Sequence, residues 1–428
     1  MNLKSSIFLK RLFRAYYQKY KDKIPIVNSY KQREFAFIPW DKEIMIRHIG
    51  IESQDNFKDY LIDKDKTPRH LFSSGAIYSQ PAMPEMKLKG YQGCDLIIDI
   101  DVDHFYTPCK EDHDIWLCKA CGKSGKGMIR KCPNCDQLKI STLSWLCDSC
   151  LNIAKKEIIK LIHNFLIPDF GITKDQIEVA FSGHRGYHLK VENNKIRNLT
   201  SEERRELVDY FTGANLSFEI LGLKERSGSI FGFSKKSIGW PSKIILEFEK
   251  LLTKPDMVIE HFLIENKFTR NQIISFINSK ELLLNNITKY EGRAWSIDGF
   301  HDLKQWKKFL NGIIKTIGIE IDEPVTIDVH RLIRYPGSLH GKTGFRVQQI
   351  ELNQLKDFYP LDENNEKLDP IVFKVGKKIT QKLEITEQEV PLTKIKGEEY
   401  GPYHKGEKVE IPHHIAVFLL CKEVAKII

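Results

Sequence analysis

Seven of the nine cysteines fall between Cys109 and Cys150. They include three Cys-x2-Cys knuckles, Cys118/Cys121, Cys132/Cys135 and Cys147/Cys150, with Cys109 and His113 ahead of them. Secreted disulfide frameworks spread cysteines through a short chain, whereas knuckles packed this closely hold tetrahedral zinc. Eight candidate ligands, at four per ion, imply two Zn²⁺. The simplest partition closes Cys118, Cys121, Cys132 and Cys135 into a ribbon and leaves Cys109, His113, Cys147 and Cys150 at its base. An interleaved, cross-braced partition is the alternative. A zinc with no open position is structural, so the module is not expected to perform chemistry. Cys94 and Cys421 lie outside it and read as packing residues. Between Cys118 and Cys132 stand Lys119, Lys123, Lys126, Arg130 and Lys131 with no acid, which suits a nucleic-acid backbone contact or a solvated loop.

A chain of 428 residues is expected to fold as two or three domains. No apolar run approaches the ~18 residues of a membrane span, and the first twenty residues lack a signal peptide's apolar stretch and cleavage site. An intracellular protein with no membrane partner is expected. The net charge of +9 favours a polyanionic partner.

Leu3, Ile7, Phe8, Leu12, Ala15 and Tyr16 recur at helical spacing and open the chain with an amphipathic helix over 3–20. REFAFI (33–38) and EIMIRHI (43–49) read as a hairpin across PWDK, QDNFKDYLIDK as a helix, and SSGAIYSQP as a strand. CLNIAKKEIIKLIHNFLI (150–167) has the period of a helix, and IEVAFSGHRGYHLKV reads as two strands flanking a glycine turn. Helical patterns dominate 200–317: SEERRELVDYF, SKIILEFEKLL, RNQIISFINSKELLL and LKQWKKFLNGIIKTI. Strand character returns in EPVTIDVHRLIR and GFRVQQIEL. The expected class is α/β with a mixed sheet, a zinc-binding insertion and a helical subdomain. The segments run 1–105, with an acidic strand; 106–150, the zinc insertion; 151–200, with the glycine turn; 201–317, mostly helical; and 318–428, the rest of the core and a tail. No glycine-rich loop of the P-loop or dinucleotide type occurs.

Three stretches carry chemistry. In DLIIDIDVDHF (95–105), Asp99, Asp101 and Asp103 alternate and so share one face of a continuing strand. Their repulsion calls for a divalent cation, and carboxylates suit Mg²⁺ or Mn²⁺. Two such ions ~3.5–4 Å apart stabilise the attacking and leaving oxygens of a phosphoryl transfer; a solvated strand end is the plainer alternative. In FSGHRGYHLKV, Ser182, His184, Arg185 and His188 crowd around Gly183 and Gly186, offering donors to phosphate where the backbone turns sharply. The span 320–347 gathers Asp322, Asp328, His330, Arg331, Arg334, His340 and Lys342, an acid followed by bases, as a site for a metal and its phosphates requires. Spacing does not choose between Asp322 and Asp328.

In this order, KQREFAF (31–37), GAIYSQP (75–81), DLIIDID (95–101), the cysteines ending in WLCDSC, SGHRGYHLKV (182–191) and HRLIRYPGSLHGKTG (330–344) resemble the catalytic small subunit of archaeal and eukaryotic DNA primases. The resemblance covers most of residues 30–350, and its Arg-Tyr-Pro-Gly-Ser-Leu-His form looks archaeal. It implies a primase catalytic core related to RNA-recognition-motif sheets, carrying a zinc module and a helical subdomain. It implies Asp99, Asp101 and Asp322 as the catalytic, metal-binding carboxylates, and leaves Asp103 without a counterpart. Ser182, His184, Arg185, His188, Arg334 and His340 would bind the incoming nucleotide, with Arg33, Arg47 and Lys342 as weaker candidates. The implied activity is template-directed primer synthesis on single-stranded DNA from nucleoside triphosphates, with two Mg²⁺ or Mn²⁺ ions, beside a large subunit carrying an iron–sulfur cluster. The location this implies is cytoplasmic, at the nucleoid. The extra knuckles enlarge the zinc module beyond the simplest members. The rivals are a related repair or translesion polymerase and a non-catalytic zinc-ribbon nucleic-acid-binding protein.

Overall fold

The computed structural model describes residues 1–64, 66–234, 236–288, 294–362, 365, 367–374 and 379–428. They form two compact units. The first comprises Met1–Ile162, Ile172–Arg205 and Ile321–Ile428; the second comprises His163–Gly171 and Glu206–Glu320.

Two four-stranded sheets organise the first unit. In chain order their strands are β1 (Phe35–Pro39), β2 (Ile46–Ile49), β3 (Pro68–Ser74), β4 (Leu96–Asp101), β5 (Ile177–Phe181), β6 (Gly186–Val191), β7 (Leu332–Arg334) and β8 (Gln348–Ile350). One sheet has the order β7-β3-β1-β2, the other β8-β5-β6-β4. Every pairing in both is antiparallel, which corrects the expected mixed sheet. The physical reason is visible between β5 and β6: residues 182–185 make a tight turn, and a parallel crossover needs a dozen or so residues.

β4 is apolar on one face. Ile98 and Ile100 are fully buried there, and the helix Asp148–Leu161 packs across β4 and β6. That helix buries Leu151, Ala154, Ile158 and Leu161 at helical spacing. Each large aliphatic among them stabilises by about 1.5–3 kcal/mol. It starts two residues before its expected position, because Cys147 Sγ caps it by accepting from Cys150 N at 3.3 Å. The last knuckle of the cysteine cluster thus opens the helix that supports the sheet. The expected helix over 150–167 ends at Leu161, and Ile162–Leu166 wind on as a π-helical turn.

Elsewhere the expected strand SSGAIYSQP breaks at Gly75: β3 stops at Ser74, and Ala76–Tyr78 pairs with Tyr91–Cys94. EPVTIDVHRLIR is strand only at β7, because Pro324 sits in the first turn of a short helix, Glu323–Ile327. Towards the C-terminus, Thr380–Ile385, Lys408–Pro412 and Ala425–Ile427 form a three-stranded sheet with the buried helix His413–Cys421.

In the second unit, Trp240–Leu252, Asp256–Glu265, Arg270–Asn278, Lys280–Thr288 and Leu303–Ile317 are helices. The single helix expected over 270–284 is interrupted at Ser279, whose N–H closes the first one on Ser275 O and Phe276 O. Phe248, Phe276, Trp295, Phe300, Trp306 and Phe309 form its aromatic core, with Phe248 and Phe309 centroids 4.7 Å apart. No helix among the described residues is long and apolar enough to cross a membrane.

Candidate active site

Asp99 and Asp101 point to the same face of β4, opposite the side that Ile98 and Ile100 bury. The register pairs Asp99 with His188 and Asp101 with Gly186 on β6. Asp103 does not share that face: β4 ends at Asp101, and Val102–His104 turn away as a 3₁₀ helix whose Asp103 N donates to Asp101 Oδ1 at 2.9 Å. Asp322 arrives from more than two hundred positions downstream and is tied to the strand by its N–H, 2.9 Å from Asp99 O. Asp328 instead caps His330 N at 2.9 Å.

Burial, then the charges of Asp101 and Asp322, push the Asp99 carboxyl well above the usual range. Burial and Asp103 raise Asp101. Asp99 Oδ1 has no hydrogen-bond partner although it is buried, and the same holds for Nδ1 of His188, whose Nε2 lies 3.5 Å from that oxygen. Unpartnered carboxylate oxygen in a cluster of like charges fits a hard divalent cation.

The turn after β5 brings bases to this edge. Ser182 Oγ accepts from His184 N and Gly186 N, both at 3.3 Å. Gly183 has φ +82°, and a Cβ there would stand 2.7 Å from His340 Cβ; a Cβ on Gly186 would meet Ile100 O at 2.2 Å. Both glycines are therefore required by space. The His184 and His340 rings stack at 5.1 Å, and His70 meets His340 edge-on at 5.1 Å. Arg334 Nη1 donates to His70 Nδ1 at 2.7 Å. Lys422 Nζ donates to Ser144 O at 2.6 Å and to His184 Nε2 at 2.8 Å.

Burial, reinforced by the surrounding cations, holds His70, His184 and His340 neutral, and drops His188 to about 3. Burial also draws Arg334 down to about 10 and Lys422 to about 7. His340 Nδ1 accepts from Lys342 N at 3.2 Å, which leaves Nε2–H as its donor; Lys422 on Nε2 of His184 leaves Nδ1–H. Acid strand and turn meet here: Asp101, Asp103 and His184 bring ligand atoms within 4.8 Å of one another, a group that includes neither Asp99 nor Asp322.

Other basic candidates are engaged elsewhere. Arg185 is fully buried and donates to Asp114 Oδ2 at 2.9 Å while pairing with Asp103 at 3.0 Å. Arg33 is locked to Asp95 at 2.5 Å and to the carbonyls of Asn28, Ser74 and Gly75. Arg47 pairs with Glu34 at 2.9 Å.

Eight cysteine and histidine ligands gather in two groups. Cys118, Cys121, Cys132 and Cys135 form one; Cys109, His113, Cys147 and Cys150 form the other, each with ligand atoms within 4.8 Å. The interleaved partition is not the one observed. Sulfur separations of 3.3–3.7 Å are close to the roughly 3.8 Å edge of a tetrahedron with zinc–sulfur arms of about 2.3 Å. Both groups therefore could hold zinc. His113 Nδ1 contacts Asp114 at 2.8 Å, the carboxylate that also holds Arg185, so the base group is linked to the acid strand through Asp114, Arg185 and Asp103. Of the five bases in the ribbon, Lys126 pairs with Glu389 at 3.3 Å and Lys131 with Asp136 at 3.0 Å.

The family model described as "DNA primase small subunit" matches residues 145–352. Curated relatives named DNA primase small subunit PriS extend the match over the whole chain. The protein of Methanothrix thermoacetophila is 32% identical across 100% of both chains. That of Archaeoglobus fulgidus is 30% identical, covering 98% of this chain and 97% of its own. The Cenarchaeum symbiosum protein is 29% identical over 99% of each. The chain belongs to the DNA primase small subunit family.

Primase membership makes it a nucleotidyltransferase-type enzyme, and it sharpens which residues sequence reasoning missed. His70 sits in β3 and Lys422 after the C-terminal helix, both outside the matched 145–352 span. No motif marks either one. Two residues separate His70 from the SSGAIYSQP stretch, in a strand whose pattern sets it apart from no other residue; Lys422 carries no signal, since only tertiary packing sets it against His184.

Proposed function

We propose that this chain is the catalytic subunit of a DNA primase, synthesising short primers on single-stranded DNA from nucleoside triphosphates during replication. The observation that carries this reading is the approach of His184 to Asp101 and Asp103 within 4.8 Å, which sets two carboxylates beside the stacked imidazoles of His184 and His340, hydrogen-bond donors for phosphate oxygens. Asp99, Asp101 and Asp322 hold two divalent ions. Bound there, Mg²⁺ or Mn²⁺ would neutralise the triphosphate and activate the attacking hydroxyl. Ser182, His184, His188, Arg334 and His340 hold the phosphates, joined by Lys342 and Lys422. Neutral imidazoles donate N–H without the electrostatic cost of a buried cation. A 3′-hydroxyl gives up its proton to water, its oxygen bonds the α-phosphorus, and pyrophosphate leaves with the electron pair of the broken phosphorus–oxygen bond, with no covalent enzyme intermediate. Arg185 acts indirectly, holding Asp103 and Asp114. Two zinc ions brace the cysteine groups, and a large subunit works alongside in the cytoplasm, at the nucleoid.

The test is dinucleotide synthesis on a single-stranded template, with and without the large subunit. Product formed without a preformed primer end is expected. Extension that needs a preformed end would replace the reading with a repair or translesion polymerase. An Asp101→Ala variant with every activity intact would leave a zinc-ribbon binding protein.

A further inference from the structure

A row of lysines on the helix Leu303–Ile317 of the second unit has no acidic counterpart. Asp302 caps the helix, accepting from Gln305 N at 2.8 Å, and Trp306, Phe309, Leu310, Ile313, Ile314 and Ile317 are buried along it. Lys304, Lys308, Asn311 and Lys315 recur at i, i+4, i+7 and i+11, and none of the 15 residues is an acid. These four side chains, together with Lys267 and Lys307, line a groove of ≈ 700 Å³. Glu265, the one acid in its wall, is engaged by His261 at 3.1 Å, and Lys307 is taken by Glu219. Lys267, Lys304, Lys308 and Lys315 make no ion pair among the described residues.

Like charges four residues apart weaken a helix. A merely solvated face is served by mixed charges, as on Trp240–Leu252, where Lys243, Glu247, Glu249 and Lys250 are interspersed. An uncompensated row is relieved by a polyanion. We infer that this groove docks the phosphodiester backbone of the single-stranded DNA template. The inference rests on the primase reading and names a substrate contact made by residues other than the carboxylates.

Several features favour one strand of DNA. From Lys304 to Lys315 the row extends about 16 Å along the helix, at 1.5 Å per residue, so it can follow successive phosphates of one chain. The groove lining has no aromatic ring on which a base could stack and no arginine fork for base edges. Lysine ammonium groups on flexible stems act as point charges. The contact is therefore sequence-neutral and strongly salt-dependent, which suits a template that must move past the enzyme.

The experiment uses the full chain and a labelled single-stranded oligonucleotide of mixed sequence, followed by fluorescence anisotropy from about 50 to about 200 mM salt. K304Q/K308Q/K315Q is expected to weaken binding about tenfold at low salt. It should reduce the log–log salt slope by about 2, three single-strand contacts at about 0.7 each. A matched variant, K19Q/K31Q/K42Q, removes the same charge from exposed sites in the first unit and should leave the slope closer to wild type. All three positions of the groove variant are exposed, but the Lys308 ammonium also donates to Lys267 O and lies over the Phe268 ring; if the melting temperature of the triple variant falls below wild type, the single substitutions K304Q and K315Q report instead, each lowering the slope by about 0.7. An unchanged slope in the groove variant overturns the inference, as does an equal loss in the matched variant. Loss of large-subunit binding with DNA affinity intact would also overturn it and make the face a protein contact. Primer synthesis by wild type in the same preparation separates the outcomes: without it the primase reading fails, whereas with it and an unchanged slope only this inference fails.

Discussion

Asp99 carries a buried oxygen with no partner and two carboxylates for neighbours, so replacing it removes a cost as well as a ligand. Its folded pKa lies above the unfolded value. Its contribution to stability is thus present below about pH 4, the unfolded carboxylate range, and lost as pH rises through the raised value. Asp99→Asn should abolish synthesis while melting at least as high as wild type in magnesium-free buffer, with the advantage larger at pH 8 than at pH 5. Thermal unfolding at the two pH values checks this; a variant that melts lower at pH 8 contradicts it. Lys422 offers a second case. Its pKa of about 7 means that the ammonium is charged at pH 6 and largely neutral above pH 8, amid His184, Arg185, Lys342, Asp103 and Asp114. Lys422→Met should weaken pyrophosphate binding about tenfold at pH 6, the worth of one charge-assisted hydrogen bond. The wild-type-to-variant ratio of affinities should approach one by pH 8.5. A ratio independent of pH would assign Lys422 to packing.

Elements explain why these residues meet. β4 stays paired as far as Asp101 because Gly186, its partner on β6, lets the backbones close to a distance that no Cβ permits. The period of two in DLIIDID made the strand and its two acids legible, and the glycines marked the turn. Asp103 was misplaced because alternation carries no information about where a strand stops, and a local Asp101–Asp103 hydrogen bond turned the chain. Arg185 reads as a phosphate ligand in sequence, yet its guanidinium spans the base cysteine group and the acid strand. Arg185→Ala would leave Asp114 buried without its cation and should destabilise the first unit by about 3 kcal/mol. Denaturant unfolding together with zinc content tests this. Full stability would make the bridge incidental.

Across the whole molecule, legibility followed how local the signal was. Cysteine spacing led to the two groups that the structure gathers, and the period of LKQWKKFLNGIIKTI set the bounds of its helix. Sheet orientation was not legible, because β8 and β4 flank the β5–β6 hairpin through chain reversals separated by many residues. Asp322, His70 and Lys422 reach the site from elements far apart in the chain, a convergence that only folding produces. Elemental analysis should find two zinc per chain; a single equivalent would leave one cysteine group without its ion. The most direct measurement of the central claim is dinucleotide formation on a single-stranded template by wild type and Asp101→Asn, in parallel with their melting curves. Synthesis by wild type and its loss in an equally stable variant is the predicted result; equal synthesis by both would contradict the assignment of the β4 carboxylates to catalysis.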